Sequence, residues 1–370
     1  MEFVVERKDF LSALMVGGSM SGKSKVLPIL ENVKITVKGN VARLSSYDSE
    51  VAVTKSTKIV SASEDAAFLV NAKDLMAVLR SISEDLATFR LEDKIMTVYY
   101  SNGQISLPYF DVDEFPTPFV DKKECRELTM SAPYLFKALP TAKKFVHKDI
   151  QYFPQFACVC LYFHEKEMGV YGTDKNVACM ASNAYEGGTA DFNILITPKA
   201  VDPLVSMLAG HAEVKITDTD RNVVFSTEDS MLVATKPEAL FPPMAFKLFD
   251  RNPPIEVEVS REALIGAINR CGITCDSFAN YITLSLVDNV LSIQSKDNMT
   301  NKSSVESVPC KNSGGDIEDI SFSKDYLLLC LSVFSGEKVK LLLENRQTMA
   351  IMLDCVKDGI KVALMPFCVV

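Results

Sequence analysis

Histidine is scarce in this chain. The three histidines, His147, His164 and His211, come with no HExxH run and no spacing that suggests a Ser-His-Asp set, so neither a zinc nor a serine hydrolase is signalled. The ten cysteines include no CxxC pair, and most sit inside apolar runs. That pattern points to buried free thiols in a reducing compartment rather than to bridges or zinc ligands. No apolar stretch approaches the ~18 residues of a membrane span, and the charged start MEFVVERKDF is not a signal peptide. The expected setting is the cytoplasm, with no membrane partner.

An excess of positive charge is also missing. Lys and Arg number 39 against 48 Asp and Glu, for a net charge of −9, and the segments 1–120, 121–250 and 251–370 each net −3. Nucleic-acid binding by a broadly cationic domain is therefore disfavoured, and any attraction to phosphate has to come from one face. Candidate cations are Lys23 and Lys25, then Lys143, Lys144 and Lys148, then Lys199, Arg270 and Lys324. Taken singly, each reads as a solvated surface charge.

One short motif does suggest chemistry. Residues 17–24, GGSMSGKS, fit the phosphate-loop pattern GxxxxGK[ST], with Gly17, Gly22, Lys23 and Ser24 in place. That pattern needs a buried strand before the loop and a helix starting at Lys-Ser. The residues before it, Phe10, Leu11, Leu14 and Met15, have helical spacing instead. After it, Pro28 stops a helix and Val33 to Val37 alternates as a strand. The order helix, loop, strand is the reverse of a phosphate cradle, which leaves a P-loop nucleotide hydrolase on Gly17–Ser24 as the weaker alternative.

The strongest feature is internal repetition. FVVERKDFLSAL (from Phe3), LTMSAPYLFKAL (from Leu128) and VEVSREALIGAI (from Val257) align without a gap. Each reads as a short strand, a cap candidate (Glu6, Ser131, Ser260) and an amphipathic helix. The pattern returns midway in FLVNAKDLMAVL (from Phe68), ILITPKAV (from Ile194) and ISFSKDYL (from Ile320), with cap candidates Asn71, Thr197 and Ser323. Alternating runs fill the intervals, joined by turn signals such as Lys38-Gly39-Asn40 and Ser101-Asn102-Gly103. Each half-repeat is thus predicted to be strand, helix and about three strands. Two halves packed together make an α+β domain with its helices on one side. Boundaries at Pro116–Arg126 and Phe241–Pro254 give three domains, 1–120, 121–250 and 251–370. Three like domains in series suggest an arc, and soluble arcs with complementary ends usually close.

Taken together, MEFVVERKDFLSAL, LPILENVKI, FLVNAKDLMAVLRS, YGTDKNVA, ALFPPMAF and ALMPFCVV resemble, in order and spacing, the bacterial sliding clamps, the beta subunits of DNA polymerase III. The resemblance implies three repeated DNA-clamp domains, each of two helices backed by antiparallel sheets, in an arc that closes as a head-to-tail homodimer around duplex DNA. It implies no catalysis and no cofactor. Implied partners are the DNA polymerase III catalytic subunit, the clamp loader, and repair polymerases, ligase and mismatch-repair proteins carrying short peptide motifs. A peptide-binding scaffold without DNA encirclement is a further alternative.

Residue by residue, the resemblance implies DNA contacts at Lys23, Ser24, Lys25, Lys148, Tyr152, Phe153 and Lys199. It implies a peptide groove at Thr173, Val177, Pro242, Leu364, Met365, Pro366 and Phe367, and a chain–chain junction at Ile105, Leu107 and Ile273. Departures fall on the groove rim: Thr173-Asp174-Lys175-Asn176-Val177 is one residue shorter than usual, Pro243–Lys247 replaces a basic stretch, and Cys368 replaces an arginine. The stretch from Asp297 to Lys302, where family members carry an acidic cluster, suggests weaker ion pairing at the junction.

Overall fold

The computed structural model describes residues 1–23, 27–118, 120, 126–185, 191–276, 278–355 and 359–367. The expected strand–helix–three-strand unit occurs six times. The first pass is β1 (Glu2–Glu6), α1 (Arg7–Gly17), β2 (Asn32–Lys38), β3 (Val41–Tyr47) and β4 (Val51–Lys58), with a two-residue addition, β5 (Ser61–Ala62). The second is β6 (Ala66–Asn71), α2 (Ala72–Ser81), β7 (Leu86–Glu92), β8 (Ile95–Tyr100) and β9 (Gly103–Phe110). Third come β10 (Arg126–Ser131), α3 (Ala132–Lys143), β11 (Val159–His164), β12 (Glu167–Thr173) and β13 (Val177–Ala184). The fourth holds β14 (Phe192–Ile196), α4 (Pro198–Leu208), β15 (Glu213–Asp218), β16 (Asn222–Ser226) and β17 (Ser230–Thr235). After the short α5 (Pro243–Lys247), the fifth is β18 (Ile255–Ser260), α6 (Arg261–Cys271), β19 (Tyr281–Val287), β20 (Val290–Asp297) and β21 (Lys302–Ser313). The sixth is β22 (Ile317–Ser323), α7 (Lys324–Leu331), β23 (Lys338–Leu343), β24 (Ala350–Asp354) and β25 (Ile360–Leu364).

Two compact units result, one of residues 1–136 and 199–237, the other of 137–198 and 238–370. The first unit carries a 13-stranded sheet in the order β10-β15-β16-β17-β4-β3-β2-β6-β9-β8-β7-β1-β5. Hydrogen bonding passes from one repeat to the next where β17 runs antiparallel to β4, with Ser230 opposite Lys55 and Ala234 opposite Val51. Inward residues of β2 (Val33, Ile35, Val37) meet Phe10 and Leu14 of α1 and Leu75 of α2 in one core. Lys34 and Thr36, at the alternate positions, lie on the opposite face, as a period of two requires. Phe3 stacks on Phe89 with ring centroids 4.7 Å apart, and Phe10 lies 5.5 Å from Phe89, tying β1, α1 and β7 together.

The second unit carries a 12-stranded sheet, β14-β11-β12-β13-β25-β24-β23-β18-β21-β20-β19-β22. Its cross-repeat ladder is β13 against β25, with Val177 opposite Leu364 and Ala181 opposite Ile360. Val257, Leu264, Ile282 and Leu341 belong to its main core, and a smaller core gathers Cys158, Cys160, Tyr171, Phe241 and Phe249. Burial raises the thiol pKa of Cys158 to about 11, so that cysteine is inert at neutral pH.

The cap expectations are met unevenly. Asn71 accepts from Lys73 N and Asp74 N, Ser260 from Ala263 N at 3.3 Å, and Ser131 from Tyr134 N at 3.4 Å. Glu6 and Ser323 occupy cap positions without a side-chain bond. The Thr197 hydroxyl is buried and caps nothing. These starts are held by burial of the helix face more than by the cap.

The phosphate-loop pattern is excluded by its surroundings. Helix α1 precedes it, and a 3-10 turn, Pro28–Glu31, leads into β2 after it. Gly17 serves packing: a Cβ there would lie 2.4 Å from Leu44 O and 2.9 Å from Leu44 Cβ, so α1 sits close on β3. Ser46 fastens the loop, donating to Gly17 O at 2.6 Å and accepting from Met20 N at 3.0 Å. Gly22 adopts φ +72° and donates to Leu30 O. Replacing Gly17 with Ala should therefore destabilise the protein by about 1–3 kcal/mol through overpacking against backbone. A urea midpoint equal to that of the parent chain would contradict this.

Candidate functional site

Groove residues in the second unit are assembled by the β13–β25 ladder. Met365 N continues that ladder by donating to Asn176 O at 2.8 Å, and Phe367 N donates to Ser321 O at 2.6 Å. The last described residues are thereby pinned rather than frayed. Alternation then sorts them: Leu364 and Pro366 are buried, whereas Met365 and Phe367 are 41% and 40% exposed. The Phe367 ring stacks on Tyr281 at 5.4 Å. Thr173, at 6% exposure, and Val177, at 0%, are also buried.

Val177 and Leu364, expected as groove walls, are therefore buried in the core. The exposed apolar residues of the predicted set are instead Met365 and Phe367, with Pro242 half-buried. The segment around Pro242 adds two residues that the sequence did not mark, Leu240 at 88% and Met244 at 76% exposure. Their neighbour Phe241 is buried with Ala363 and Phe249. The signal was present in the run Leu240-Phe241-Pro242-Pro243-Met244, where prolines break helix continuity and leave alternate apolar residues facing water.

The turn at Asp174 is closed by hydrogen bonds. Asp174 Oδ1 accepts from Asn176 N and Val177 N, each at 3.0 Å, and Oδ2 accepts from the Tyr326 hydroxyl of α7 at 2.5 Å. Lys175 sits at φ +89°, a left-handed conformation that this bonding sustains. Its ammonium lies 3.3 Å from the centroid of the Phe153 ring and 5.2 Å from that of Phe156. Burial, then the hydrogen bond to Asp174, pushes the Tyr326 hydroxyl above the usual phenol range.

The expected DNA contacts divide by unit. In the first unit Lys23 is exposed, and Ser24 and Lys25 lie outside the described residues. Lys199 departs from expectation. Its Nζ is 2.7 Å from Asp48 Oδ2 and 3.2 Å from Glu50 Oε2, and the Asp48 side chain is fully buried. Burial opposes the charge on Lys199, but the two carboxylates outweigh it and hold its pKa above the ordinary range. That charge neutralises a buried aspartate and is already engaged. In the second unit Lys148 is exposed and Tyr152 is 77% exposed, while Phe153 is half-buried against His147 and Lys175.

The junction residues lie on or beside open strand edges. Strand β9 pairs with β8 from Gly103 to Pro108, but with β6 only at Tyr109 and Phe110. Among the described residues, one edge of residues 103–108 is thus unpaired, and it carries no charged side chain. Ile105 and Leu107 on it are half-buried against the core. Strand β21 pairs with β20 through residues 302–309 and reaches β18 only from Cys310 onward, leaving a second edge open among the described residues. Nearby Ile273 is 77% exposed. Glu306 on β21 is paired bidentately with Arg270 at 2.6 Å. Asp297 accepts from Met299 N and Thr300 Oγ1, so its carboxylate closes a turn.

Six strand–helix–three-strand passes, with sheets continuing from one repeat to the next, define the DNA-clamp fold. The chain matches the family models of the DNA polymerase III beta subunit N-terminal domain over residues 1–118 and C-terminal domain over residues 247–368. It belongs to the DNA polymerase III beta subunit family. It is 23% identical to the beta sliding clamp of Pseudomonas aeruginosa over 370 residues and 22% identical to that of Haemophilus influenzae over 372, covering 99% of both chains in each case. Among solved structures, the Pseudomonas aeruginosa sliding clamp bound to griselimycin superposes with a TM-score of 0.92 at 21% identity, and the Thermotoga maritima beta subunit with 0.90 at 17%, both covering 100% of each chain.

If Asp174 organises the rim, Asp174→Ala should cost about 1–3 kcal/mol by orphaning two backbone donors, and Tyr326→Phe about 1 kcal/mol. Denaturant titration of both variants checks the order. Equal, negligible losses would contradict it.

Proposed function

We propose that the chain is a sliding clamp: a non-catalytic ring that encircles duplex DNA and tethers the replicative polymerase and other DNA-handling proteins. The observation that carries this reading is the pair of open strand edges, on β9 and β21, in a chain of six like half-units. An unpaired edge, uncharged on β9, is an invitation to pairing that soluble proteins otherwise blunt. In this reading β9 of one protomer pairs with β21 of its partner, Ile105 and Leu107 meet Ile273, and three domains from each chain close head to tail. Two such heterologous junctions close a ring and pair both of these edges.

The net charge of −9 fits such a protein. Retention on DNA is topological, so strong phosphate binding is not needed and would slow sliding. Each neutralised phosphate adds about −0.9 to the slope of log K against log salt. Lys23, Lys148 and Tyr152 are the contacts this reading retains.

The groove around Met365, Phe367, Pro242 and Met244 takes short peptides from the polymerase catalytic subunit, the clamp loader and repair proteins. Two or three buried side chains at about 1.5–3 kcal/mol each, less ordering costs, give roughly micromolar affinity. Partners can then exchange.

Sedimentation equilibrium at micromolar concentration should return twice the 40.8 kDa chain mass. Leu107→Asp or Ile273→Asp should return the monomer. A parent chain that stays monomeric, or charged variants that remain dimeric, would contradict this junction.

A further inference from the structure

On the first unit, the sheet face turned away from helices α1 and α2 carries a cleft of about 890 Å³ that the clamp reading leaves unused. Its volume falls within the ~300–1,000 Å³ of ligand-binding pockets. Lys34 and Lys38 of β2 and Arg43 of β3 line one end, placed on one face by the antiparallel register that sets Thr36 opposite Arg43 and Lys38 opposite Val41. Among the described residues, none of these three cations is paired with a carboxylate, in a protein of net charge −9. The other end is apolar, walled by Phe115, Pro116 and Val120 of the connecting segment and by Met231 and Val233 of β17.

We propose that this cleft binds an acidic peptide segment of a partner protein, carboxylates against Lys34, Lys38 and Arg43 and apolar side chains against Met231 and Val120. Charge complementarity selects the occupant: unpaired cations attract an anion, and the acidic remainder of the surface repels it elsewhere. Two carboxylates, Glu228 and Asp229, also line the cleft; exposed Glu228 leaves the three cations in excess, and Asp229 does not cancel the attraction. It is held by Lys55 at 2.6 Å and His211 at 3.2 Å. The walls favour a peptide over single-stranded nucleic acid, which needs exposed aromatic faces for base stacking. Phe115 is only 9% exposed, and Tyr47 is half-buried with its hydroxyl bonded to Ser49 O. The site is separate from the Met365 groove.

Fluorescence anisotropy on the full chain tests the proposal with three labelled probes: a peptide alternating Glu with Leu and Phe, the same peptide with Lys for Glu, and an oligo(dT). The acidic peptide should bind, weaken as salt rises, and lose about tenfold or more in affinity in the K34E/R43E variant. Met231→Glu, at a site 41% exposed, tests the apolar end independently and should weaken the same peptide. The proposal is overturned if the acidic peptide fails to bind, if the lysine peptide binds equally, if oligo(dT) binds more tightly through the same cations, or if both variants bind as the parent does.

Discussion

Backbone hydrogen bonding at strand edges is the constraint on which this architecture depends. Each half-unit buries one helix on a few strands, but a short sheet leaves two rows of unpaired N–H and C=O groups. The chain disposes of most of them by continuing its sheets across repeats, β17 onto β4 and β13 onto β25. The long edges on β9 and β21 remain. In the proposed reading, assembly with a second copy satisfies them.

The same continuity places the residues of the proposed peptide groove. Since β25 must align with β13 to extend the sheet, Met365 and Phe367 emerge where the ladder ends, next to the Asp174 turn. The backbone of Met365 and Phe367 is held by hydrogen bonds to Asn176 and Ser321 even though both side chains are exposed.

Much of this was legible in the sequence because it rests on local pattern. Period-two runs such as Val33–Val37 and helical spacing after Phe3, Leu128 and Val257 fix strand and helix wherever a face is buried. The failure of the phosphate-loop motif was legible too, since Pro28 and the helical residues before Gly17 contradict the needed order. What stayed hidden depends on distant partners. Lys199 looks like a free surface cation until Asp48 and Glu50, some 150 residues earlier in the chain, are found beside it. Val177 and Leu364 fall at groove positions, yet their mutual pairing buries both. The exposure of Leu240 and Met244 follows from how α5 docks through Phe241, which no local period encodes.

The central claim is retention by topology rather than by affinity. It is tested most directly by loading the labelled protein onto a nicked circular plasmid, isolating the complex by gel filtration at high salt, and linearising the DNA. The account predicts that protein stays with the circle in salt that abolishes ordinary phosphate binding and leaves once the circle is cut. Equal dissociation from circular and linear DNA would contradict it.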